Sequence, residues 1–171
     1  MAEPNMIYKI AALEMLDKAG EPLSNMQITG FFLDGRYTDY FNVQQVLSDL
    51  ENTDMITSQT MHNNTRYRLT EEGQRTLALC GDKLTEAIQQ DIRAYLSEHR
   101  IQFKKENALS ANYDKALGGG YLVHCTAKED QREIINLTLH TATREQAETI
   151  CNNWKVRYED VYMNIMDTLI Q

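Results

Sequence analysis

The chain has 171 residues, 42% of them hydrophobic and 25% charged, with a formal net charge of −8. That usage excludes the disordered and fibrous classes, and no apolar run approaches the roughly 18 residues of a bilayer span. The acidity disfavours non-specific attraction to phosphate or to an anionic membrane surface.

Met1-Ala2-Glu3-Pro4 carries neither a positive nor an apolar stretch, so no secretory leader is expected and a cytoplasmic location is. From Asn5 to Ala19, Ile7, Ile10, Ala11, Leu13 and Leu16 recur at helical spacing, and Gly20-Glu21-Pro22 stops the helix. Ser24 to Gln27 has capping-box form and opens a second helix with Ile28, Phe31 and Phe32 inward, ending at Asp34-Gly35. After a connector over 35–41, Asn42 to Gln45 again has cap spacing. A third helix is expected from Asn42, with Val43, Val46, Leu47 and Leu50 buried and Gln44, Gln45, Ser48, Asp49 and Asn52 outward.

The period then changes. Met55 to Met61 and Arg66 to Leu69 read as strands around a four-residue loop, His62-Asn63-Asn64-Thr65. Three helices followed by a β-hairpin describe a winged helix-turn-helix. Thr70 caps a further helix, and Asp82 to His99 is helical with Leu84, Ala87, Ile88, Ile92, Tyr95 and Leu96 on one side. Three strands are expected next: 101–113, with Ile101, Phe103, Leu109, Ala111 and Tyr113 sharing a parity, then 121–128 and 134–141. The pattern predicts that Val123, Cys125 and Ala127 share a dry face with Ile135, Leu137 and Leu139, leaving His124 and His140 on a mixed face. Thr143 to Gln146 is a third capping box, opening a helix to about Leu169. At 1.5 Å per residue it would span about 40 Å, longer than a three-stranded sheet is wide.

Phe31-Phe32-Leu33-Asp34, Tyr37-Thr38-Asp39-Tyr40-Phe41, Gln44-Gln45, Leu69-Thr70-Glu71-Glu72-Gly73 and Ile150-Cys151-Asn152-Asn153-Trp154-Lys155 resemble a winged-helix family of Gram-positive anaerobic bacteria known as a domain of unknown function. The Leu-Thr-Glu-Glu-Gly element is also similar to that of winged-helix regulators of the multidrug-response and phenolic-acid-response type. The resemblance covers essentially the whole chain and implies a winged-helix fold and a regulatory role. It supplies no catalytic residue, cofactor or operator sequence.

The expected architecture is therefore α+β. Residues 1–80 form a winged helix-turn-helix; residues 82–171 form a helix, a three-stranded antiparallel sheet and a long C-terminal helix. The expected partner is double-stranded DNA. Gln44 and Gln45 would pair with adenine edges and Ser48 would reach a phosphate. Arg66 and Arg68, with His62, Asn63 and Asn64 at the hairpin tip, would contact phosphates or a minor groove, and Tyr37 and Tyr40 would add hydroxyl contacts.

Charge argues the other way. Residues 1–70 hold five Lys and Arg against nine Asp and Glu, a net of −4, and the third helix has no cation. Phosphate neutralisation supplies most non-specific affinity, so the DNA reading leans on a homodimer that doubles the contacts. A protein-interaction adaptor that never touches DNA is the other reading of the same acidity. Trp154, Tyr158, Tyr162 and Met166 on the terminal helix are the expected dimer contacts, residue types enriched at interfaces. A small-molecule effector or a protein partner is an open role for the C-terminal half.

No enzyme, metal or cofactor is expected. Cys80, Cys125 and Cys151 form no Cys-x-x-Cys pair and read as buried thiols. His124 and His140 lack companions at ligand spacing. Gly118-Gly119-Gly120 lacks a phosphate-loop context, and no nucleophile elbow or His-Glu-x-x-His helix is present.

Overall fold

In the computed structural model, which describes residues 3–61, 64–130 and 132–171, α1 (Pro4–Ala19) starts on a proline whose missing N–H would be unpaired there anyway. It ends at Gly20. A two-residue strand, β1 (Leu23–Ser24), leads into α2 (Asn25–Asp34). The expected capping box is formed: the Gln27 N–H donates to Ser24 Oγ at 3.1 Å, and the Ser24 N–H donates to Gln27 Oε1 at 2.9 Å.

α3 (Tyr40–Asn52) begins two residues before the expected Asn42. Asp39 is the cap, its carboxylate accepting from the Asn42 N–H at 2.8 Å. The Asn42 amide instead donates to Asn5 Oδ1 and Thr38 Oγ1. Asp and Asn are equally good caps, and an acid also opposes the helix dipole.

β2 (Ile56–Met61) and β3 (Asn64–Leu69) pair antiparallel with Met61 opposite Asn64, so the expected four-residue loop shrinks to positions 62 and 63. His62 and Asn63 lie outside the described residues. β1 pairs with β3, Leu23 opposite Tyr67, giving sheet order β1-β3-β2. Ile56, Tyr67 and Leu69 share the inward face, with Ile56 and Tyr67 buried; Arg66 and Arg68 share the other with Gln59 and Thr57.

α4 (Glu71–Cys80) is capped by Thr70, whose Oγ accepts from the Gly73 N–H at 3.0 Å and donates to the Asp54 carbonyl at 2.6 Å. A Cβ at Gly73 would overlap the Met55 carbonyl oxygen. The Leu69–Gly73 segment thus locks the first turn of α4 onto the turn that precedes β2.

After one 3-10 turn (Gly81–Lys83) comes α5 (Glu86–Ala108). Two compact units divide at Arg100/Ile101, later than the expected break at 80–82. The reason is the first half of α5. Ile92 is buried, and the Tyr95 hydroxyl donates to the Gln27 carbonyl at 2.7 Å while its ring meets Phe31 edge-on.

Residues 101–108 are helical, which corrects the expected strand over 101–113. Phe103, 5% exposed, lies three helical turns after buried Ile92, whereas Ile101 is 73% exposed. The expected parity holds from Leu109 to Tyr113, which lie in a strand, and fails at Ile101 and Phe103, which lie on a helix.

In the second unit β4 (Leu109–Lys115), β5 (Tyr121–Glu129) and β6 (Arg132–Thr141) form an antiparallel sheet in that order. The register sets Tyr113, Val123 and Leu139 in one row and Ala111, Cys125 and Leu137 in the next, the pairing that the hydrophobic pattern predicts. Between β4 and β5, Gly118, Gly119 and Gly120 all have positive φ, from 76° to 107°, a run that residues bearing a Cβ would resist.

α6 (Arg144–Ile170) starts at the expected Thr143 capping box. It lays Ala147 and Trp154 on Val123, Cys125 and Ala127. Trp154 is 4% exposed, and its indole N–H donates to the Thr126 carbonyl at 2.9 Å. Val161 is the farthest residue of α6 in that core; Met163, Leu169 and Ile170 beyond it are exposed. Burial pushes the Cys125 thiol up to about 11, helped by the nearby Cys151, so this thiol is packing and not a nucleophile. Among the described residues no helix is long and apolar enough to cross a membrane.

Candidate nucleic-acid interface

The buried stripe of α3, Val43, Val46, Leu47 and Leu50, fixes which side of the helix meets solvent. Phe41, Gln45 and Ser48, spaced i, i+4 and i+7, form the outward stripe, and all three are exposed. The expected position of Gln44 is corrected: it turns toward α2. Its amide N–H groups donate to Asn25 Oδ1 and Thr29 Oγ1, each at 3.1 Å, and its carbonyl accepts from Asn25 Nδ2 at 2.6 Å. Both donors are engaged, so Gln44 has none left for an adenine edge. The same Asn25 amide reaches the Tyr67 hydroxyl at 3.2 Å, tying α2, α3 and β3 together.

Gln45 remains at the surface, with its amide donating to Asp49 Oδ1 at 2.8 Å. The Lys9 ammonium sits 3.1 Å from the other Asp49 oxygen. The Gln45 amide and then the Lys9 ammonium hold the Asp49 carboxyl below the usual carboxylate range. One of the two acidic charges on α3 is therefore matched locally. The other, on Glu51, accepts a hydrogen bond from the Ser58 hydroxyl of β2.

At the leading end of α3, Tyr40 and Phe41 pack edge to face, 5.7 Å between ring centroids, and Phe41 is 81% exposed. Sequence spacing missed Phe41 because a start at Asn42 left it in the connector. The signal was Asp39: a cap there puts Phe41 on the outward stripe, four residues before Gln45. Tyr37, a proposed hydroxyl donor to phosphate, is instead turned inward; its hydroxyl donates to Asp91 of α5 and its ring stacks on Phe31.

On the hairpin, Arg68 and Asn64 are exposed and Arg66 is half-buried, both arginines on the side away from Tyr67. The hairpin thus offers cations on the same unit in which α3 offers none.

The expected dimer contacts separate. Trp154 is a core residue of its own unit, which removes it from that set. Tyr158 packs against the same core and donates to Glu159 at 3.0 Å. Tyr162 is half-buried and Met166 exposed, beyond the end of the sheet-packed stripe. His124 is 3.1 Å from Thr138 Oγ1 and His140 is 3.0 Å from the Gly119 carbonyl, so the imidazoles serve different partners. Among the described residues no three His, Cys, Asp or Glu side chains are grouped to hold a metal.

No curated protein and no solved structure matches the chain. A family model matches residues 8–169, nearly its full length, and the chain belongs to that family, described as Domain of unknown function (DUF4364).

Proposed function

We propose that the chain is a transcription regulator that binds duplex DNA through a winged helix and does so as a homodimer. The observation that carries this reading is the order of elements in the first unit. A helix, a short strand, two helices and a hairpin follow one another, with β1 closing on β3 to give the sheet β1-β3-β2. That is the arrangement in which α3 enters a major groove and the hairpin flanks it. Ser48 and Tyr40 lie on exposed positions of α3, where their hydroxyls reach phosphate or base edges, and Arg66, Arg68 and Asn64 lie on the hairpin for the backbone alongside.

The test is selection from random duplexes at low salt, followed by affinity against salt concentration. Log affinity should fall linearly with log salt, and Arg68→Ala should weaken binding to every sequence and shallow the slope by about 1 per lost phosphate contact. Enrichment of no sequence removes the proposal. A second reading, a winged-helix adaptor for another protein, is supported by exposed Met26 and Phe41 together with the acidic balance. Under it the full-length chain binds no duplex at any salt concentration.

A further inference from the structure

We infer that Phe41 reads the C5-methyl group of thymine in the major groove, so that the bound site carries thymine beneath the N-terminal end of α3; this rests on the DNA-binding reading above. Hydrogen-bond accounting on α3 leads there. Bidentate readout of an adenine edge needs a side chain with a free donor and a free acceptor. Gln44 has both amide hydrogens engaged by Asn25 and Thr29, and exposed Gln45 gives one amide hydrogen to Asp49, so a bidentate adenine contact by Gln45 competes with that bond. The helix carries no Arg or Lys to meet guanine.

What the helix presents at its leading end is a phenyl ring. Phe41 is 81% exposed and meets the Tyr40 ring edge-on. It heads the stripe that continues through Gln45 and Ser48. In a reading helix that end approaches the base edges most closely. The only apolar feature a base pair shows in the major groove is the thymine methyl. A phenyl ring against that methyl removes apolar surface from water on both partners, and no phosphate takes part in the contact. Arg66 and Arg68, on the outward face of the hairpin, supply the backbone attraction that the ring cannot.

Uracil offers the same hydrogen-bonding edge without the methyl, which makes the test direct. The full-length chain selects from random thymidine duplexes at low salt, and the winning duplex is resynthesised with deoxyuridine at each thymine in turn. At one or two positions the wild type should lose about fourfold in affinity, the loss that one unburied methyl implies. Phe41→Ala should bind the thymine and uracil duplexes equally, and Phe41→Leu should keep part of the preference. Both should keep the wild-type salt slope, since neither removes a cation, and both should fold, since the side chain is at the surface. A wild type that binds its selected duplex but is indifferent to uracil everywhere overturns the inference and leaves the DNA-binding proposal standing. So does a Phe41→Ala chain with an undiminished thymine preference. Failure to select any duplex overturns the DNA reading, and the inference falls with it.

Discussion

Tyr37 stands in the turn that leads into α3, and several contacts hold it. Its ring stacks on Phe31 at 5.3 Å, its carbonyl accepts from the Tyr8 hydroxyl at 2.7 Å, and its own hydroxyl donates to Asp91. Burial, and then the Asp91 carboxylate, push this hydroxyl up to about 12. The folded value lies above the unfolded one, near 10, so the native state favours the protonated phenol. Its stabilisation is complete below about pH 10 and is lost as pH rises through the folded value. Tyr37→Phe should cost roughly 1 kcal/mol at neutral pH, the value of one partly exposed hydrogen bond. It should also show a shallower loss of stability than wild type between about pH 10 and 12, followed by urea unfolding with circular dichroism. Parallel pH profiles would mean that Asp91 does not hold the hydroxyl. Sequence pattern placed Tyr37 outward because the turn has no period, and Asp91 is far along the chain. The inward turn of Gln44 was missed for a related reason. Adjacent glutamines on a helix differ by a rotation of 100°, and only partners on α2, Asn25 and Thr29, decide which one turns in.

Elements with a long apolar stripe and a visible cap were legible from the chain alone. α1, α2 and α6 have the expected spans to within a residue or two, α4 starts at the expected Thr70 cap, and the register of the second sheet follows its hydrophobic pattern. β1 was not legible, since two residues carry no period and its pairing with Tyr67 and Arg66 is entirely tertiary. The second half of α5 was misread because Ile101 and Phe103 share a parity, while the helical distance from Ile92 to Phe103 outweighs it. On α6 the aromatic stripe looked uniform, but the sheet covers only part of it, and Trp154 lies under that cover. As the only tryptophan, it reports on the second unit alone. Trp154→Ala should cost about 3–5 kcal/mol. Trp154→Phe should cost about 1–2 kcal/mol, because the Thr126 carbonyl loses its donor. Urea midpoints by circular dichroism check both. An Ala variant as stable as wild type would return Trp154 to a seam between chains.

At the scale of the whole molecule, a chain of charge −8 repels DNA at long range, with screening over about 10 Å at 0.1 M salt. Under the proposed DNA-binding reading, affinity has to be won at contact, through Arg66 and Arg68 of the hairpin, and a single copy of the first unit brings few cations. The proposed homodimer would double them, so on this reading DNA affinity depends on association. α6 offers a candidate surface for the proposed association. Its apolar residues continue past the end of the packed stripe as Tyr162, Met163, Met166, Leu169 and Ile170, and Leu169 is 76% exposed. A contiguous exposed apolar patch rimmed by polar residues, here Asn164, Asp167 and Thr168, is a mark of an interaction site. The full-length chain should sediment at micromolar concentration with twice the 19.8 kDa of one copy. Met163→Lys with Leu169→Lys should give 19.8 kDa and leave the melting transition of Trp154 in place, since neither residue touches the core under the indole. In that variant the slope of log affinity against log salt should fall to about half, one half-site being contacted instead of two. A wild type that sediments as one copy would remove the dimer. A monomeric variant that kept the full slope would move the phosphate contacts away from a paired arrangement and onto one chain.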